Sequence, residues 1–320
     1  MFSAHDSPSH ALKRKQPEPP PAATVYFGPM VEKRGRNGLM EQKMEGFLSR
    51  THTFQQWLAA NLSFDVSLSP AVSPSEALPL PSEALPLPSP TSAAVRIMRQ
   101  VLSELEVHHS LQHFHFKIQN PFDFEKRRQL PGCTLTVLTG GGHPDGPLTT
   151  TRCMSCDLSC PLAVGVGGSS LVDATSADSL LSETKLTRVW IDAKARPMLV
   201  FTPVRHVQRL SDLDDCEFHD LLLSIHTALK TRGLHGFQCA IVNHGDFRNH
   251  AHLHVKLRFP PRVFENASRQ WSQDEQQKLE RIRSFAASIA EQQKLERIRA
   301  SAVPIADESP KEGAQKAEEE

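Results

Sequence analysis

The chain has 320 residues, and its 36 Lys and Arg balance 36 Asp and Glu to a formal charge of zero. That balance argues against a polybasic coat for bulk nucleic-acid binding. The apolar runs are too short to span a membrane, and no basic segment followed by an apolar one marks a secretory leader, so an intracellular protein, cytoplasmic or nuclear, is expected.

Thirteen of the 24 prolines lie in residues 1–90, and Pro-Ser-Glu-Ala-Leu-Pro-Leu occurs at 74–80 and again at 81–87. Proline fixes φ and removes a backbone donor. Residues 1–92 therefore read as a disordered Pro/Ser-rich arm, with a short helix near Leu39–Leu62. From Ala93 the pattern changes. Val95, Met98, Val101, Leu102 and Leu105 have helical spacing. Residues 111–118 and 133–138 read as strands, so 93–150 adds a helix and strands as an extension. His113 and His115 form an HxH on the first of these strands, with Phe114 and Phe116 facing the core.

A hairpin is expected over 187–202, where Val189-Trp190-Ile191 and Met198-Leu199-Val200-Phe201 flank Arg196-Pro197. Ser211 is expected to cap a helix whose apolar stripe is Phe218, Leu221, Leu222, Ile225 and Leu229. His219 and His226 fall on its exposed face. Strands follow at 237–243 and 250–259. After Pro260-Pro261 comes a helix over 263–306, opened by a Ser272/Glu275 capping box. Its residues 275–290 recur at 291–306 with 12 of 16 identical. Sixteen residues turn a helix through about 4.4 turns, so the copies face nearly opposite sides. Pro304 ends it, and 307–320 is a charged disordered tail.

The chemistry concentrates at Asn243-His244-Gly245-Asp246-Phe247-Arg248-Asn249-His250-Ala251-His252-Leu253-His254-Val255. On a strand, His250, His252 and His254 share one face. Each buried imidazole needs partners for two ring nitrogens. One metal ion can take two of them, but the outer pair stand about 13 Å apart, which leaves one unused. Phosphoryl transfer uses all three, because a neutral imidazole attacks phosphorus while its neighbours orient it and protonate a leaving group.

His250-Ala-His252-Leu-His254-Val resembles the His-φ-His-φ-His-φ-φ signature of the histidine triad superfamily of nucleotide hydrolases and transferases. Trp190-Ile191-Asp192, the Leu199 to His206 segment, Ser211-Asp212-Leu213 and Val242-Asn243 resemble its flanking elements. The likeness spans residues 187–259 and more loosely 153–259. It implies an α+β domain over 151–262, an antiparallel sheet with a packed amphipathic helix, acting on a nucleotide or nucleotide conjugate through a nucleotidyl-histidine. In this reading His252 is the nucleophile, His254 meets the phosphate and leaving group, and His250 orients the nucleophile. Asn243 holds a phosphate oxygen, Asp192 binds ribose hydroxyls, and Arg248 and His206 are further phosphate contacts. His244, beside the phosphate loop, is expected to be solvated.

The sequence departs from the family at three places. Lys256 stands at the last φ, Met198 replaces a His, and Gly245-Asp246-Phe247-Arg248-Asn249 replaces a Gly-Gln-Ser/Thr segment. The chemistry requires no cofactor. Some family members nevertheless bind a structural zinc through a Cys-x2-Cys, and Cys153 and Cys156 match that spacing, with His206 or a triad His to complete it. A homodimer is expected by analogy, two domains pairing across a helix and a sheet edge. Two alternatives stand beside the enzyme: a non-catalytic nucleotide-binding scaffold, and a metal-binding protein using the HxHxH strand.

Overall fold

The computed structural model describes residues 25–27, 29–34, 40–48, 58, 62, 92–120, 122–123, 128–129, 133–141, 152–163, 170–234 and 237–301. In chain order these form β1 (Val25–Phe27), β2 (Val31–Arg34), β3 (Met40–Leu48), α1 (Ala93–Ser103), β4 (Phe114–Gln119), β5 (Phe122–Asp123), β6 (Arg128–Gln129), β7 (Cys133–Thr139), β8 (Pro161–Ala163), β9 (Ser170–Thr175), β10 (Leu180–Glu183), β11 (Thr187–Ile191), β12 (Met198–Pro203), α2 (Asp215–Thr231), β13 (Cys239–His244), β14 (Val255–Arg258), α3 (Pro261–Ser268) and α4 (Gln273–Ser301). The fold is α+β, as expected. One antiparallel sheet of ten described strands runs β1-β3-β7-β4-β13-β14-β12-β11-β10, with β2 beside β3.

Helices α1 and α2 pack on one face of this sheet. Ser92 starts α1 by accepting from the Val95 N–H at 3.3 Å. The helix buries Ala94, Val95, Ile97, Met98, Val101 and Leu102. Ser211 does not cap α2. Asp214 does, with Glu217 closing the capping box, because the chain makes a short 3-10 turn at Leu210–Asp212 first. Phe218, Leu221, Leu222 and Ile225 then meet Phe116, Ile118, Ala240, Val242 and Val255 from the sheet. His219 is buried, not exposed, and reaches Ser92 at 3.3 Å, because α1 covers that side of α2.

The sheet has a mirrored order about its centre. Outward from β13 come β14, β12 and β11; outward from β4 come β7, β3 and β1. In each half a helix precedes the central strand, and strand order repeats. The halves join along β4 and β13, from Cys239 opposite Gln119 to His244 opposite Phe114. The β13 edge, where a second copy could add its own sheet, is therefore taken by the same chain. Strands β1 to β3 lie within the arm expected to be disordered over 1–92. Strand β3 runs where a helix near Leu39–Leu62 is expected, and it aligns seven residues with β7, from Gln42 opposite Thr139 to Leu48 opposite Cys133. Leu58 and Leu62 of the arm are also buried, with the Leu62 N–H donating to Leu58 O at 2.8 Å. Most of the rest of the arm, including the Pro-rich repeat at 74–87, and the tail at 307–320 lie outside the described residues.

The repeat in α4 shows its rotation directly. Leu279 and Ile282 of the first copy are buried, at 2% and 0% exposure, whereas their counterparts Leu295 and Ile298 are 50% and 53% exposed. The same apolar pair is core in one copy and surface in the next because about 160° separates them. Ser272 and Glu275 make the expected capping box, and Arg232 ties Glu275 to the body at 2.7 Å. No helix among the described residues is long and apolar enough to cross a membrane.

Candidate functional site

The histidine segment is not a strand through its length. Pairing with β12 and β13 begins at Val255, and 250–254 is irregular backbone. The Leu253 N–H donates to Val207 O at 2.7 Å, so the loop after β12 holds this stretch in place of a ladder. The strict alternation is lost, and the three imidazoles do not share one face. His250 and His254 line a cavity, while His252 is fully buried against Cys153, Cys156 and His206; His250 Nε2 also lies 3.8 Å from Cys153 Sγ.

The hydrogen bonds define each ring's tautomer. A carbonyl oxygen can only accept. His252 Nε2 lies 2.9 Å from Pro203 O, so Nε2 carries the proton and donates. Its Nδ1 lone pair then points at Cys153 Sγ and Cys156 Sγ, 3.4 and 3.3 Å away. His254 is arranged the opposite way. Its Nδ1 lies 2.9 Å from His252 O and donates to it, which leaves the lone pair on Nε2. Among the described residues that Nε2 has no hydrogen-bond partner. Burial holds the His254 imidazole neutral, its pKa well below the usual histidine range. Burial also lowers His250, to about 4, with His206 adding to the effect.

Cys153, Cys156, His206 and His252 place their donor atoms within 4.8 Å of one another. Cys156 Sγ is 3.3 Å from His206 Nδ1 as well as from His252 Nδ1. Two thiols and two imidazoles are the donor set of a structural zinc, whose bonds of about 2.0–2.3 Å give edges near the 3.3–3.4 Å of the three shortest contacts. The widest separation, up to 4.8 Å, would close on binding. The residues therefore fit a structural zinc. Three segments supply them: the turn at 153–156, the loop after β12, and the histidine stretch. Without a cation the Cys156 thiol keeps its proton, pushed up to about 11 by burial and by neighbouring Cys153. His206, expected beside a phosphate, thus sits in this cluster.

The other expected contacts are placed as follows. Asn243 lies at the end of β13, and its Oδ1 meets His115 Nδ1 at 2.8 Å, a bond between the two halves of the sheet. Burial lowers the pKa of His115, so the neutral ring donates through Nδ1 to the Asn243 Oδ1. Sequence reasoning left His115 without a role, because only the pairing of β4 with β13 sets it opposite Asn243. Asp192 lines the cavity, but both its oxygens are bonded to Arg196, at 2.8 and 2.6 Å. Arg248 reaches Gln208 O at 3.1 Å and Ala251 O at 2.8 Å, so it braces the loop. Gly245 needs its positive φ of +57°, and a Cβ there would fall 2.2 Å from His113 Nδ1.

His244 is fully buried, contrary to the solvated position expected for it. Its ring packs 4.3 Å from Phe114 and accepts from the Leu210 N–H at 3.3 Å, because β4 and the 3-10 turn close over it. Burial, then Arg209 and Arg248, lower its pKa to about 3. The unfolded chain takes up this proton near pH 6.5, the folded one only near 3. Stability from His244 is therefore complete above about pH 6.5 and falls as the pH drops toward 3. In His244→Gln, urea-unfolding midpoints should fall less steeply between pH 6.5 and 4 than in the wild type. Equal slopes would refute this.

The sequence signature and the arrangement of His252 and His254 now bear on identity together. The chain resembles the histidine triad proteins. No family model matches it, and no curated protein matches it. Among solved structures, a uridylyltransferase is 11% identical, covering 90% of this chain and 95% of its own at a TM-score of 0.45. A GalT-like protein from Arabidopsis thaliana is 10% identical, covering 73% and 76% at 0.42. The diadenosine triphosphate hydrolase of Plasmodium falciparum is 16% identical, covering 35% and 78% at 0.24.

Proposed function

We propose that this protein is a nucleotide hydrolase or nucleotidyl transferase that works through a nucleotidyl-histidine formed on His254. The observation that carries this reading is the opposite arrangement of two neighbouring rings. His252 has one nitrogen on Pro203 O and the other against two thiols. His254, which lines the cavity, has its Nδ1 proton held by His252 O, so its lone pair stays on Nε2. A nucleophile needs such a lone pair, neutral and aimed. Thus the attacking role expected for His252 passes to His254, two residues on.

In the first step the Nε2 lone pair attacks the α-phosphorus. A P–N bond forms, the P–O bond to the leaving group breaks, and the leaving oxygen takes a proton. Water or a second hydroxyl then attacks the phosphorus, and the P–N bond electrons return to Nε2. His250, beside His254 at a ring separation of 5.9 Å, is placed to exchange protons with the leaving group or water. In this reading Asn243, held through its Oδ1 by His115, turns its amide nitrogen to donate to a phosphate oxygen. A zinc held by Cys153, Cys156, His206 and His252 would act as a structural cross-link that positions the His252 carbonyl.

Brief incubation with adenosine phosphoramidate or dinucleoside polyphosphates, followed by denaturing mass spectrometry, tests this reading. A nucleotide mass added to the wild type supports it. Neither an adduct nor turnover across the panel would overturn it. His115→Phe removes the bond that orients Asn243 and should cut turnover by about 10- to 100-fold, a cost typical of misplaced positioning groups. Unchanged turnover would discount His115 as a positioning residue.

A further inference from the structure

The turn that carries Cys153 and Cys156 is closed by its own backbone. The Cys156 and Asp157 N–H groups both donate to Cys153 O, at 3.1 and 3.0 Å. The carbonyls of Ser155 and Cys156 take a donor from outside the turn, and Ser155 is buried, where an unpartnered carbonyl is costly. Arg188 is that donor. Its Nη1 reaches Ser155 O at 2.7 Å and Cys156 O at 3.2 Å, while its Nε donates to Glu183 Oε1 at 2.8 Å. The side chain is only 12% exposed.

The sheet fixes where this guanidinium stands. On β11 Arg188 lies opposite Glu183 of β10 and opposite Thr202 of β12. The next pair along the same hairpin is Thr187 with Pro203, and Pro203 O is the acceptor that holds His252 Nε2. His206 follows on the loop after β12. One end of a single hairpin therefore holds both sides of the donor set. Arg188 carries the turn with the two thiols, and Pro203 carries an imidazole. These anchors are neighbours in the ladder, although Cys153 and His252 are 99 residues apart in the chain. A planar fork can bond a carboxylate and two carbonyls at once, which a single ammonium cannot do in the same geometry.

We propose that Arg188 is a positioning residue of the metal site. It presets the Cys153–Cys156 turn, so that an arriving ion meets both thiols already placed against His252. This rests on the reading that the four donors take zinc, and it is independent of nucleotidyl transfer.

Zinc affinity of the full chain, measured by competition with a chromophoric chelator, is the test. Arg188→Met should weaken zinc binding by about 10- to 100-fold, the usual cost of losing a group that orients metal ligands from outside. Arg188→Lys keeps one donor for the turn and should weaken it less. Arg232→Met is the matched control. Arg232 is 10% exposed and pairs with Glu275 at 2.7 Å, so its loss removes a comparable ion pair elsewhere in the fold and should leave zinc affinity as in the wild type. If Arg188→Met does not fold, Glu183→Gln decides, since it removes the charge that orients the guanidinium and keeps Arg188 itself. It should weaken zinc binding, and wild-type affinity there overturns the proposal. So does wild-type affinity in Arg188→Met, or an equal loss in Arg232→Met. A wild type that takes no zinc overturns the metal reading of the cluster and this proposal together; a zinc-binding wild type matched by Arg188→Met overturns the role of Arg188 alone.

Discussion

His254→Ala is expected to abolish nucleotide adduct formation and to lower turnover by on the order of 10⁴-fold or more, the scale of losing a covalent nucleophile. The substitution should cost only about 1–3 kcal/mol of stability, the usual range for a buried side chain, and so leave the protein folded, since the ring lines the cavity and makes one bond to a backbone carbonyl. His252 should respond differently. His252→Cys keeps a soft donor beside Cys153 and Cys156 and should retain metal and part of the activity. His252→Ala should lose both metal and stability. Fragmentation of the trapped adduct provides the direct check, since the nucleotide should map to His254. An adduct mapped to His252, or one that forms in His254→Ala, would reverse the assignment.

Loss of the Cys/His cluster should have the second largest effect. Purified protein is expected to hold about one zinc per chain. Cys153→Ser, Cys156→Ser or treatment with a strong chelator should release it and lower Tm by at least roughly 10 °C, since a structural site contributes several kcal/mol and each shifts Tm by about 2–4 °C in a domain of this size. The reason is geometric. The four donors come from three segments that share little other secondary structure, and one of them is the irregular stretch 250–254. Binding also displaces protons from thiols that otherwise keep them, as the Cys156 value of about 11 shows. Zinc retention should therefore weaken as pH falls. Protein without stoichiometric metal, and with a Tm indifferent to chelators, would eliminate the cross-link.

Much of this organisation was legible in the residues. The hairpin of β11 and β12, the helices at 93 and 215, and the Ser272 box follow from periodicity and capping chemistry, which act within a few residues. The triad and the Cys-x2-Cys were visible as spacings. The role of each histidine was not. The alternation of His250, His252 and His254 predicts one face only if the segment pairs as a strand, and Val207 takes the Leu253 N–H instead. Nor did the spacing show that Arg196, four residues on, folds back onto Asp192.

What the sequence alone determined is local: which segments are helix or strand in the second half, where polar caps stop them, and that three imidazoles and two thiols must find partners. The tertiary structure decided the rest. It set β4 against β13, which closes the sheet edge within one chain and brings His115 to Asn243. It gathered Cys153 with His252, 99 residues away, and so turned one imidazole toward a thiol while the next bonds only to a backbone carbonyl. Such choices depend on which lone pair meets which distant group, and no pattern of neighbouring residues specifies that.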